Sequence, residues 1–99
     1  MQKDSLTQAE LNAKSQELYQ LWDSVLNALW RDLNRLLDTE TMDALTAEEV
    51  QWIADKEQAV KQAGAEYEGG SIQSMVMNQK AAELTEARVY GLMELLRSK

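Results

Sequence analysis

The chain has 99 residues, 44% hydrophobic and 27% charged, which is enough for one globular domain and argues against a disordered chain. It contains no cysteine and no histidine, which excludes disulfides, the usual zinc sites, and Cys/His or Ser/His catalytic machinery. The net charge of −7 disfavours a nucleic-acid partner, and no apolar run approaches the roughly 18 residues that insert across a membrane.

The first predicted element is a long amphipathic helix over residues 6–37. Its apolar residues recur at spacings of three, four and seven, and they form a face wide enough to contact two other helices. We expect residues 1–10 to fray or to derive from the expression vector, because this part is more polar. The apolar positions are Leu11, Leu18, Tyr19, Trp22, Val25, Leu26, Leu29, Trp30, Leu33, Leu36 and Leu37.

A second helix is predicted over residues 46–67, after a polar link at 38–41. Thr46 and Glu49 have the spacing of a capping box, in which both side chains accept hydrogen bonds from free amides at a helix start. Trp52 lies beside the predicted inner face of this helix. That face consists of Val50, Ile53, Ala54, Val60 and Tyr67.

The third predicted helix covers residues 71–97. The pair Gly69-Gly70 ends the preceding helix, with one glycine at positive φ, and Ser71 is the expected cap of the next. The predicted fold class is therefore all-α: a single domain over residues 1–99, built as an antiparallel three-helix bundle. A helical hairpin that dimerises into a four-helix bundle is the alternative.

Arg88 falls in line with the apolar residues of the third helix, where an unpaired guanidinium would be unfavourable. Asp23 and Asn27 lie one turn apart on the first helix. We therefore expect a buried or half-buried Asp23–Arg88 pair that fixes the register of the helices. A role for these residues in binding a partner is the alternative.

The negative charge is concentrated in the middle of the chain. Segment 38–68 holds nine acidic and two basic residues, whereas the remainder holds eight of each sign. Such a segment attracts a cationic protein at long range, although a solubilising surface is the simpler interpretation. The candidate partner contacts are Glu48, Glu49, Asp55, Glu66, Glu68 and Ser71.

The pattern predicts no enzyme activity, no cofactor and no metal site. The acidic residues of 38–43 lack the glycine and the terminal glutamate of a calcium loop. The many carboxylate pairs do not lie beside a recognisable nucleophile or a glycine-rich phosphate loop.

Three blocks of residues occur in order along the chain. They are Leu11-Asn12, Tyr19 and residues 23–30; then Glu49, Trp52 and Lys56-Glu57; then residues 67–71 and 84–88. In order and spacing these blocks resemble a family of small secreted or periplasmic bacterial proteins, named for the lysozyme inhibitor LprI. The family has cysteines at the places of Lys14, Val60 and Lys80, so the chain resembles a divergent member without disulfides.

The resemblance implies a non-enzymatic protein-binding module of the bacterial envelope, which inhibits a cationic cell-wall hydrolase such as lysozyme. It also implies a periplasmic or secreted location. Residues 1–5 lack the apolar stretch of a signal peptide, so the chain is either cytoplasmic or a mature form with an added Met1. The alternative function is a structural or assembly protein that self-associates through its helical faces without inhibitor activity. We expect a monomer or a homodimer.

Overall fold

The computed structural model describes residues 7–98, which form three α-helices joined by short connections. Helix α1 covers Gln8–Leu36, α2 covers Thr39–Ala65 and α3 covers Gln73–Arg97. Consecutive helices run in opposite directions, so α1 and α3 are parallel and α2 is antiparallel to both. The described residues contain no strand. This confirms the predicted all-α three-helix bundle.

Helix α1 begins with a capping box. The backbone N–H of Glu10 donates to Thr7 Oγ1 at 3.1 Å, and the backbone N–H of Thr7 donates to Glu10 Oε1 at 2.8 Å. The hydrogen bond from the Thr7 backbone is the main reason that the pKa of the Glu10 carboxyl lies below its ordinary value. Residues 1–6 of the segment expected to fray lie outside the described residues.

Helix α2 begins at Thr39 and not at residue 46. Asp38 is its N-cap, and the Asp38 carboxylate accepts a hydrogen bond from the backbone N–H of Thr41 at 2.7 Å. This start places Met42 and Leu45 inside the helix, where both side chains are buried. The predicted polar link at 38–41 is therefore wrong: Asp38 provides an equally suitable cap, and the longer helix buries two more apolar side chains.

The predicted Thr46–Glu49 capping box is also wrong. The Thr46 hydroxyl donates to the carbonyl oxygen of Met42 at 2.8 Å, one turn earlier in the same helix. The Glu49 carboxylate is occupied by a partner on α3. Neither side chain lies at a helix end, so the capping pattern in the sequence is coincidental here.

The connection between α2 and α3 turns at Gly69, which has φ of 81° and confirms the predicted positive-φ glycine. Ser71 does not cap α3, since the N-cap is Ile72 and no side chain accepts a hydrogen bond there. The backbone N–H of Gln73 instead donates to the carbonyl oxygen of Gly70 at 3.2 Å. The Ser71 carbonyl oxygen accepts from Asn12 Nδ2 of α1 at 3.2 Å.

The core lies where the C-terminal halves of α1 and α3 meet the N-terminal half of α2. Trp22, Trp30 and Trp52 are partly buried and pack against its margin. Its buried members are Leu26, Leu29, Leu33, Met42, Leu45, Val89 and Leu92. The wide apolar face predicted for α1 is thus only partly used, because Leu18, Val25 and Leu36 remain exposed.

Helix α3 is the central helix of an open arrangement. Both α1 and α2 pack along α3, whereas α1 and α2 approach each other much less closely. The Cα atoms extend over 56 × 28 × 16 Å. The radius of gyration is 16.4 Å, compared with about 12.6 Å for a compact domain of this length.

The inner face of α2 differs from the predicted one, of which only Val60 is half-buried. Val50 and Ile53 are exposed, whereas the residues directed at the other helices are Met42, Leu45, Glu49, Trp52 and Lys56. Consecutive residues of a helix differ by about 100° in direction, so the choice of Glu49 over Val50 rotates the whole face. The sequence pattern left the charged residues Glu49 and Lys56 out of the inner face, but both side chains have partners on the other helices.

Two helical glycines provide a test of the packing. A Cβ atom added at Gly64 would lie 2.5 Å from Cγ and Sδ of Met77 on α3, whereas one added at Gly91 would meet no atom within 4 Å. We expect Gly91→Ala to raise the free energy of unfolding by about 0.5–1 kcal/mol through helix propensity. Gly64→Ala should raise the free energy of unfolding by a smaller amount or should lower it, because the Met77 side chain must move. Urea denaturation measures both, and equal gains would contradict the close approach at Gly64.

Candidate functional site

An ion pair joins α2 and α3 near the middle of the molecule. Arg88 Nε donates to Glu49 Oε1 at 2.8 Å, and the two side chains are only 17% and 12% exposed. A charge-assisted hydrogen bond shielded from water in this way is stronger than one at the surface. Glu49, one of the predicted partner contacts, is therefore engaged within the protein itself.

Arg88 is half-buried, as expected from its place on α3, but its ion pair is with Glu49 rather than with Asp23. Asp23 accepts a hydrogen bond from Asn27 Nδ2 on its own helix, at 3.4 Å. The different partner follows from the rotation of α2, which directs the Glu49 carboxylate at α3. Sequence periodicity on α1 and α3 alone did not identify Glu49 as a candidate ion-pair partner of Arg88.

A lysine placed between two aromatic rings joins α1 to α2. Lys56 Nζ donates to the Tyr19 hydroxyl at 2.9 Å and lies 5.2 Å from the centroid of the Tyr19 ring. The same atom lies 5.1 Å from the centroid of the Trp52 ring. Arg88 Cζ lies 5.9 Å from that Trp52 ring. Cation–π attraction therefore links Trp52 to both cations.

Two buried polar atoms of α3 complete this region. Thr85 Oγ1 and Arg88 Nη2 are inaccessible to solvent and make no hydrogen bond to another residue within 7–98. Thr85 itself is fully buried. Buried polar atoms are normally hydrogen-bonded. Among the described residues, these two atoms therefore depart from the usual pattern.

We refer to this group as the central cluster. It contains Tyr19, Glu49, Trp52, Lys56, Thr85 and Arg88. The cluster has no nucleophile activated by an adjacent base. Its ion pair and its lysine between two aromatic rings are suited to holding three helices in one register.

The remaining predicted partner contacts lie on the surface, away from the central cluster. Glu48 and Asp55 are exposed on α2, and Glu66 continues the same line, since 18 residues make five full turns. The line from Glu48 to Glu66 is about 27 Å long at 1.5 Å per residue. Glu68 and Ser71 are exposed in the connection to α3.

Exposed carboxylates lie along α2 and just beyond its C-terminal end, and we call this the acidic surface. Lys61 is the one exposed base in segment 38–68, all of which the structure describes, because Lys56 points inward to Tyr19. The members of the acidic surface are Glu40, Asp43, Glu48, Asp55, Glu57, Glu66 and Glu68.

The chain matches the family model described as "Lysozyme inhibitor LprI" over residues 1–92. It belongs to the LprI family. No curated protein and no solved structure matched the chain. The family resemblance found in the three sequence blocks is thereby confirmed.

The LprI-like blocks converge in space. Tyr19 comes from the first block, Glu49, Trp52 and Lys56 from the second, and the remaining two members of the central cluster from the third. Of this group, the sequence pattern predicted only Glu49 and Arg88 as site residues. The blocks themselves were the signal for the other four, because residues that share a family pattern often share a contact.

Two further properties of this LprI-family chain concern ligands and membranes. Within residues 7–98, no group of three or more acidic side chains is arranged to hold a metal ion. In the same part of the chain, no helix combines the length and the apolar character required to cross a membrane.

The ion pair can be tested by removing its countercharge. We expect Glu49→Gln to lower the free energy of unfolding by about 2 kcal/mol, because the Arg88 guanidinium stays half-buried without a negative partner. Glu48→Gln is the matched control. It removes an exposed carboxylate from the adjacent position and should change stability by less than about 0.5 kcal/mol. Urea denaturation measures both effects.

A double-mutant cycle identifies the partner of Arg88. The losses caused by Glu49→Gln and Arg88→Met should be non-additive, with a coupling of about 1 kcal/mol or more. The cycle of Asp23→Asn with Arg88→Met should be additive within error. The reverse pattern would contradict the pairing seen here.

Proposed function

We propose that this LprI-family protein is a non-enzymatic protein-binding module that inhibits a cationic cell-wall hydrolase such as lysozyme. The observation that carries the proposal is the family match over residues 1–92. The chain also has a negatively charged surface, opposite in sign to a basic enzyme. Segment 38–68, essentially α2 and its ends, accounts for the entire net charge of −7. A basic enzyme is attracted to such a surface before contact.

The fold strengthens this attraction by sorting the charges of α2. Glu49 is neutralised by Arg88, and Lys56 is drawn between Tyr19 and Trp52. The other carboxylates of the segment remain at the surface. The approach of a cationic partner is therefore directed to one side of the bundle, and electrostatic complementarity contributes mainly to association rate and orientation.

The connection between α2 and α3 is a suitable element for blocking a substrate cleft. It carries Glu66, Glu68 and Ser71, with the half-exposed ring of Tyr67 between the two acids. The backbone N–H of Gly70 donates to the Tyr67 carbonyl oxygen at 2.9 Å, which holds the turn. A loop that is already ordered loses little conformational entropy on binding, so steric occlusion by this loop is favourable.

The location in the envelope, periplasmic or secreted, is part of the same proposal. It is supported by family membership, because a lysozyme inhibitor must reach the cell wall to meet its target.

A structural or assembly role without inhibitor activity is the second candidate. The observation that favours it is the group of exposed apolar side chains on α1 and α3, which include Leu21 and Tyr90. This candidate predicts self-association and no effect on lysozyme.

A lysozyme turbidity assay tests the inhibitor proposal. We expect the protein to slow cell lysis at about 20 mM salt and to do so less at about 300 mM, where the Debye length falls from about 20 Å to about 6 Å. The absence of inhibition at both salt concentrations would refute the proposal.

A charge-matched pair of variants tests the position of the binding surface. Glu48→Gln/Asp55→Asn/Glu66→Gln removes the line of carboxylates along α2, and Glu17→Gln/Glu83→Gln/Glu94→Gln removes three from α1 and α3. Both variants change the net charge from −7 to −4. We expect the first to weaken inhibition about tenfold or more and the second to have a much smaller effect. Equal weakening would show that only total charge matters.

A further inference from the structure

A contiguous apolar face crosses the seam between α1 and α3. On α1 it consists of Leu18, Leu21 and Val25, which are 47%, 62% and 39% exposed. On α3 it consists of Tyr90 and Met93, which are 53% and 49% exposed. Monomeric proteins rarely leave so many large apolar side chains together in water, so such a patch usually marks a contact site.

Helix geometry shows that the exposed apolar residues of α1 and those of α3 form one patch. Spacings of three and four place the three α1 residues on one side of that helix, and a spacing of three does the same for the α3 pair. Trp22 of α1 meets Tyr90 edge to face, with ring centroids 5.8 Å apart and an interplanar angle of 70°. This contact packs α1 against α3, and the apolar surface continues across the interface between the two helices.

The apolar face points away from α2. On α3, Tyr90 lies two residues after Arg88, which contacts α2, so the two directions differ by about 200°. On α1, Leu21 lies two residues after Tyr19, which contacts Lys56 of α2. The apolar face and the acidic surface are therefore on opposite sides of the molecule.

The charges around the apolar face are nearly balanced. Asp32 pairs with Arg35, Glu83 with Lys80, and Glu94 with Arg97. The charged residues on this side are five acids and four bases: Glu17, Asp32, Glu83, Glu86, Glu94, Lys14, Arg35, Lys80 and Arg97. We infer that the occupant of this face is a second copy of the same chain, which forms a two-fold symmetric homodimer.

Charge distinguishes this occupant from the others. A cationic partner is attracted to the acidic surface and has no electrostatic reason to choose the neutral side. An anionic lipid surface is repelled by the net charge of −7. A second copy can approach through the neutral side without like-charge repulsion, and a two-fold axis there places both acidic surfaces on the outside of the dimer.

The chain also exposes more surface than a compact monomer. Its accessible surface is 6815 Å², compared with about 5,700 Å² for a compact monomer of 11.3 kDa. This difference reflects the open, elongated arrangement of the helices, and a standard interface buries about 800 Å² per partner. Trp22, Tyr90 and Met93 are also of the residue types that are enriched at interface centres.

Sedimentation velocity over a range of concentrations tests the dimer with the purified full chain alone, so the result is independent of the inhibitor proposal. We expect the wild type to reach twice the monomer mass of 11.3 kDa. Leu21→Glu should raise the dimer dissociation constant about 100-fold or more, because each interface then receives two carboxylates. Circular dichroism should show unchanged helicity, since Leu21 is exposed.

Val50→Glu is the matched control. Val50 is 64% exposed on α2, outside the apolar face, and the same substitution there should leave the dissociation constant unchanged. A wild type that is monomeric up to about 1 mM would overturn the inference. Equal loss of the dimer in both variants would overturn it as well. A monomer in which Leu21→Glu abolishes lysozyme inhibition would assign the face to the hydrolase instead.

Discussion

The half-buried guanidinium of Arg88 is the constraint on which the arrangement of the helices depends. A cation in this position requires a negative partner, and Glu49 provides one at 2.8 Å. Once Glu49 is directed inward, the helical repeat places Leu45 and Trp52 on the same side and turns Val50 outward. A single polar contact therefore determines which side of α2 is buried, and hence which side faces water.

The sorting of charge follows from this rotation. The carboxylates that remain on the outer side of α2 form the acidic surface, while the neutral apolar face of α1 and α3 lies on the opposite side. One small bundle thus presents two surfaces of different character. The first suits a cationic hydrolase and the second suits another copy of the chain, so the two proposed interactions do not compete for the same residues.

The chain contains no cysteine, and Lys14, Val60 and Lys80 stand where the family resemblance implies cysteines. Non-covalent contacts must therefore hold the helices together, and the central cluster supplies several of them: an ion pair, a lysine between two aromatic rings, and a buried threonine. The leucine-rich core lies at one end of the bundle. The cluster supports the middle, where α2 would otherwise have few apolar partners.

By itself the sequence determined the number and order of the helices, the glycine turn at Gly69, the half-buried character of Arg88, the concentration of negative charge in segment 38–68 and the family. These depend on local patterns, composition and motif spacing. Only the tertiary structure decided that α2 starts at Thr39, that Glu49 is the partner of Arg88, and that Leu18 and Val25 stay exposed. The physical reason is that a periodic pattern ranks residues by polarity. A charged side chain that finds its partner on another helix is favourable in the interior, and an apolar one without a neighbour is left in water.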